Sequence, residues 1–156
     1  MDAERRLDEW RHPDRVRISP DPLIRLETAR RRVLDQRLAY LEAHGRTPRV
    51  CLYALAPLRE PTRSFAAART YANGKGWRVS ANRCIADRLS TTEPMHRPGW
   101  RWALHLIRTG HADGVVALTH TAIGQHLDEY ELILDLMDLH GGFVALVTPE
   151  SLRKKP

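Results

Sequence analysis

Apolar residues along the 156-residue chain follow two kinds of spacing, and the change falls near Pro48. Before it, Asp21-Pro22 offers an N-cap followed by proline in the first helical turn. Leu23, Leu26, Val33, Leu34, Tyr40 and Leu41 then recur at the interval that puts them on one face, and Gly45 supplies the stop. The pattern predicts a helix over 22–43 whose other face carries Arg25, Arg31, Arg32 and Glu42. Residues 1–18 contain Pro13 and hold no sustained apolar period, which reads as a mobile charged arm.

From Pro48 onward, short apolar runs alternate with helical spacing. RVCLYAL (49–55), WRVSANRCIA (77–86), GVVALTH (114–120) and the run opening with FVALV (143–148) read as strands. Between them, 64–73 places Phe65, Ala68 and Ala72 on one face, and Pro98 opens a helix with Trp100, Ala103, Leu104 and Ile107 at i, i+3, i+4, i+7. A further helix runs from His126 to His140 and stops at Gly141-Gly142. This alternation predicts an α/β fold, a three-layer sandwich around a parallel four-stranded sheet with 49–55 central. The implied organisation is a basic helical extension at 1–47, an α/β domain at 48–150 and a short basic tail at 151–156. In such sheets ligands gather beyond the carboxyl ends of the strands. The segments 55–63, 87–97 and 120–125 are therefore where a site is expected.

The 126–140 helix is apolar on two sides. Asp128, Glu131, Asp135 and Asp138 share a narrow wedge, while Leu127, Tyr130, Ile133, Leu134 and Met137 fill one side and Leu132, Leu136 and Leu139 another. One side should take the sheet. The other calls for residues 22–43, a second copy of the chain or a protein partner. Trp102 is turned away from the face of Trp100 and is either a satellite core contact or an interface anchor.

Composition narrows the classes. With 42% hydrophobic and 28% charged residues the chain is an ordinary globular one. No run approaches the roughly 18 apolar residues of a membrane span, and the N-terminus lacks a signal-peptide core, so a cytoplasmic protein without membrane contact is expected. Cys51 and Cys84 sit in apolar runs and read as buried reduced thiols. Twenty-five Lys+Arg against nineteen Asp+Glu give a charge of +6, which permits nonspecific nucleic-acid contact, with Arg25, Arg31 and Arg32 as the candidates. Eight histidines form no HxxxH or HExxH pair, and the glycines do not take the spacing of a phosphate-cradling loop, so neither metal nor cofactor is expected.

Three segments in order carry a family resemblance. VCLYALAP (50–57) stands where a strand ends in Tyr-x-Arg-x-Ser. ADRLSTTEPMHRPGW (86–100) follows an aspartate, Ser-Gly, then Arg-Pro-Gly at a helix start. Residues 111–147 have the rhythm of a strand, an Asp-Arg-Leu-x-Arg segment, a long helix and a last strand. Together they resemble the catalytic domain of serine recombinases, the resolvase/invertase family, over about 100 residues. That chemistry needs a serine hydroxyl to attack a DNA phosphodiester and several arginines to neutralise it. Position by position, the nucleophile falls on Pro57 and an arginine on Leu55. Thr121, Ala122 and Gln125 stand where the aspartate and two further arginines belong. Tyr53, Asp87 and Arg97 match the pattern. Thr62 and Ser64 read as helix caps, and Arg59 and Arg63 as solvated loop residues.

The resemblance therefore implies a noncatalytic recombinase-like domain, a binding or regulatory module in place of an enzyme. The family's long assembly helix and separate DNA-binding domain are not expected after ESLRKKP (150–155 and the final Pro156 close the sequence as given). A second reading keeps ligand chemistry at the strand ends. In it Tyr53, Asp87, Arg97, His120 and Thr121 converge as a polar pocket for a small anionic or nucleotide ligand.

Overall fold

The computed structural model describes residues 21–56, 60–88 and 93–151, with the backbone alone at 80–82. The charged arm, Pro57, Arg59 and the tail from 152 lie outside the described residues. The elements are α1 (Pro22–Ala43), β1 (Arg49–Leu55), α2 (Thr62–Gly74), β2 (Arg78–Asp87), α3 (Pro98–Arg108), β3 (Gly114–Ala117), α4 (Leu127–Leu139) and β4 (Phe143–Leu146). Single 3-10 turns lie at Pro94–His96 and His120–Ala122. The strands form one sheet in the order β2-β1-β3-β4, and every neighbouring pair is parallel. The α/β alternation of the sequence thus gives the expected sheet, with β1 inside it and α1 outside it.

Period-two alternation assigns the layers. Val50 and Leu52 of β1, Val116 of β3, and Phe143 and Ala145 of β4 share one buried cluster with Ala68 and Ala72 of α2. Cys51 and Tyr53, Val115 and Ala117, and Val144 and Leu146 point the other way, into a cluster with Trp100, Leu104 and Ile107 of α3 and Tyr130, Ile133 and Met137 of α4. A sheet covered on both faces explains why the strands read as continuous apolar runs. Gly114 is required by this packing, because a Cβ there would lie 2.3 Å from the Phe143 ring.

Several boundaries differ from the sequence reading. β3 ends at Ala117, three residues short of expectation, because the chain turns towards the 3-10 segment at His120, and β4 ends at Leu146, two residues short. Two further bonds, Val147 N–H to Ala117 O and Thr148 N–H to Leu118 O, continue the pairing past the ladder. Along β1 and β2 the register jumps: β1 advances from Val50 to Leu52 while β2 advances from Val79 to Cys84. Thr62 and Ser64 are not caps. Pro61 occupies the N-cap position of α2 and no side chain caps that helix, so Thr62 and Ser64 fall within its first turn. Of the two free cysteines, Cys51 is buried and Cys84 is half-buried. Burial pushes the Cys51 thiol up to about 11, so it stays protonated at neutral pH.

Helix α1 runs along the edge strand β4. Its Leu26 joins the α3/α4 cluster, whereas Leu34 and Leu38 pack on the α2 cluster. Between them Arg30, one turn beyond Leu26, is buried and donates from Nη1 to the Val144 carbonyl at 3.3 Å. An otherwise open strand edge is thereby covered. Arg30 also grips Glu150 through two bonds, Nε to Oε2 at 2.8 Å and Nη2 to Oε1 at 2.9 Å, and the Tyr130 hydroxyl donates to Oε2 at 2.7 Å. Glu27 accepts from the Ser151 N–H and hydroxyl at 3.0 and 3.1 Å. Tyr40 is not on the buried face. It is 47% exposed, lies 4.2 Å from the His44 ring and carries the Arg37 guanidinium 5.0 Å above it.

Helix α4 buries Tyr130, Ile133 and Met137 beneath it, and Leu134 packs against the same cluster. On the remaining side Leu136 is half-buried while Leu132 and Leu139 are 52% and 75% exposed. Contact with α1 covers one flank of α4 and leaves this second one open. No helix among the described residues is long and apolar enough to cross a membrane.

Candidate functional site at the strand carboxyl ends

β1 and β2 end side by side, with Leu55 paired to Asp87, and α3 begins beyond Arg97. Pro98 starts that helix with its φ already set, and the first free N–H groups point back at β2. Asp87 satisfies them: Oδ1 accepts from the Gly99 N–H at 2.8 Å and Oδ2 from the Trp100 N–H at 2.9 Å. The carboxylate thus sits at the positive end of α3, where the helix dipole stabilises it. Gly99 is needed for the approach, since a Cβ there would meet both carboxylate oxygens at 2.8 Å.

The same carboxylate holds Tyr53. The phenol donates to Asp87 Oδ2 at 2.8 Å, and Arg97 Nη1 approaches the phenol oxygen at 3.5 Å. Burial raises the Tyr53 pKa above the ordinary tyrosine value; the Arg97 contact opposes this and Asp87 reinforces it. Tyr53 is therefore a protonated donor at neutral pH. Arg97 is only 1% exposed, and its Nη1 donates to the carbonyls of Ala122 and Ile123 at 2.9 and 3.1 Å. The three residues that match the recombinase pattern form one buried network, and its bonds run to the backbone of α3 and of the 120–123 turn.

Above this network lies a cleft of about 260 Å³. Its walls include Tyr53, Leu55, Ser64, Thr119, Thr121 and Gln125, and no Lys or Arg is among its described lining residues. Thr119 and Thr121 bond to each other through their hydroxyls at 2.9 Å. Ser64 reaches the cleft because it falls in the first turn of α2, which the capping assignment did not foresee. Of the five pocket candidates, Tyr53 and Thr121 line the cleft, whereas Asp87 and Arg97 lie in the network behind it. His120 is buried with its ring 5.4 Å from Tyr130 and is not part of the cleft lining.

The candidates on α1 are divided. Arg25 pairs with Glu131 of α4 at 3.0 Å, which raises its pKa, and Arg31 pairs with Glu27 at 3.5 Å. Arg32 is exposed and lies at the seam of α1 with α4. The buried Arg30 was missed although its spacing from Leu26 places it on the apolar face. Among the described residues no group of three or more His, Cys, Asp or Glu could hold a metal ion.

No protein-family model matches the chain, and no curated protein matches it. Solved structures do. The C-terminal catalytic domain of ISC1926 TnpA, an IS607-like serine recombinase, superposes with a TM-score of 0.57 at 19% identity, covering 67% of this chain and 75% of that one. The N-terminal catalytic domain of TP901-1 integrase gives a TM-score of 0.53 at 19% identity, covering 63% and 76%. The chain has the resolvase-like fold of serine recombinase catalytic domains.

Proposed function

We propose that this domain is a noncatalytic relative of the serine recombinase catalytic domain and works as a binding or regulatory module. The observation that carries this reading is the absence of Lys and Arg from the described lining of the strand-end cleft. Phosphoryl transfer requires preorganised cations around the transferring group. The described lining offers hydroxyls, an amide and apolar groups, and Arg97 is turned away into carbonyls. The sequence adds proline at 57, leucine at 55 and alanine at 122, where the family pattern has its nucleophile and two of its arginines. The same absence favours this reading over an anion or nucleotide site at the strand ends.

The module's contact surface is the open flank of α4. Leu132 and Leu139 stand exposed on that flank, with Leu136 between them packed partly against the core, and a second copy of the chain or an apolar partner surface would cover it. Nonspecific nucleic-acid contact through α1 is the weaker element, because Arg25 and Arg31 are already ion-paired. The test is incubation of wild type and the Pro57→Ser variant with supercoiled plasmid. Neither should nick or relax it, since restoring a hydroxyl does not restore the arginines that the family pattern has at 55, 122 and 125. Relaxation by the wild type would reject the reading.

A further inference from the structure

We propose that the amino ends of β1 and β2 form a site for a compact phosphate ligand of the pyrophosphate class. This site lies at the opposite end of the sheet from the cleft, and it does not depend on whether the domain is catalytic.

Two recesses adjoin there, of about 350 and 250 Å³. The first is lined by Gly45, Arg46, Thr47, Arg49 and Arg78, and the second adds Arg83, His111 and the apolar floor of Val50 and Ala112. Arg49 and Arg78 belong to both. No carboxylate is among the described lining residues of either recess. Asp113 pairs with Arg46 at 3.7 Å and Arg49 at 3.3 Å and also accepts the Arg49 N–H at 2.9 Å. Arg49 Nη2 also donates to the Gly110 carbonyl at 2.8 Å, so the Arg46 and Arg49 guanidiniums are already engaged, whereas neither Arg78 nor Arg83 forms an ion pair among the described residues. Like charges gathered in this way repel one another unless an anion is bound.

The chemistry of the anion follows from the donors. Guanidinium forks match the paired oxygens of phosphate, and they bind it more specifically than a point charge would. The recesses bound the size: the first lies near the bottom of the roughly 300–1,000 Å³ typical of small-molecule pockets and the second below it, so neither calls for a bulky organic group. Arg78, which lines both recesses, and Arg83 in the second are the guanidiniums left to take linked phosphoryl groups.

Calorimetric titration of the full chain with inorganic pyrophosphate at about 0.1 M ionic strength, where the Debye length is about 10 Å, tests this. Saturable binding is expected, tighter than for inorganic phosphate. Arg78→Gln/Arg83→Gln should weaken it about tenfold or more, the scale of one or two lost charge-assisted bonds. Arg31→Gln/Arg32→Gln removes the same charge from α1 and should leave affinity within about twofold, because exposed charges further away than a Debye length are screened. Arg78→Lys keeps the charge but not the fork and should fall between them; it also serves should the double variant misfold. Three results would overturn the proposal: no saturable binding, equal loss in both double variants, or an oligonucleotide that binds and that pyrophosphate fails to displace. Plasmid relaxation reads the noncatalytic proposal separately, so the two can fail independently.

Discussion

Gly99 and Asp87 fit each other so closely that the glycine N–H bonds to the carboxylate at 2.8 Å and leaves no room for a Cβ. The glycine of the Arg-Pro-Gly segment is thus explained by a helix start seated on the end of a strand. Gly99→Ala should push Asp87 off the α3 N-terminus and destabilise the fold by about 1–3 kcal/mol, the usual range for overpacking. Denaturant unfolding measures it. An unchanged midpoint would show that the carboxylate can shift at no cost.

Arg30 and Glu150 join the helical extension to the end of the α/β unit. Loss of one partner strands a buried charge and typically costs about 3–5 kcal/mol, so Arg30→Met should destabilise by that order. Arg30→Met/Glu150→Met should recover part of the loss, because no lone charge then remains. A double-mutant cycle from chemical denaturation checks both expectations.

The same pair sets a pH dependence. Burial pushes the Glu150 carboxyl up, but the Arg30 bond and charge, helped by Tyr130, outweigh it and hold the pKa below the ordinary 4.5. The unfolded chain therefore binds this proton at a higher pH than the folded one. The stabilisation is complete above the ordinary carboxylate range and is lost as pH falls through the lower folded value. Thermal melts across the acid range should show wild type losing stability there, with a smaller slope in Arg30→Met/Glu150→Met.

The sheet was legible because its strands are buried on both faces and read as uninterrupted apolar runs, and Pro22, Pro98 and the glycine stops bracket the helices. The Tyr53, Asp87 and Arg97 positions were legible as a pattern, but their union as a buried network depends on the 120–123 carbonyls that Arg97 reaches, and no spacing encodes those. Ser64 was misassigned because a serine near a helix start resembles a cap, while Pro61 takes that position. Arg30 was hidden among its arginine neighbours. The arginines at 46, 49, 78 and 83 are scattered over three segments and meet only because β1 and β2 pair in parallel.

The open flank of α4 predicts self-association. Leu132 and Leu139 are largely exposed and, with Leu136, recur along one line of the helix. Light scattering over a concentration series should show a dimer forming at the upper end, and Leu132→Glu/Leu139→Glu should abolish it. A wild-type chain that stays monomeric throughout would assign that flank to a different protein or to solvent.

The central claim, loss of the recombinase chemistry, is tested most directly by trapping. Wild-type protein incubated with supercoiled DNA and quenched in denaturant should yield no covalent protein–DNA adduct, because position 57 has no hydroxyl and the described cleft lining has no cation to hold a phosphodiester. A denaturation-resistant adduct mapping by mass spectrometry to Ser64, which lines the cleft, or to Thr62 beside it would contradict the account.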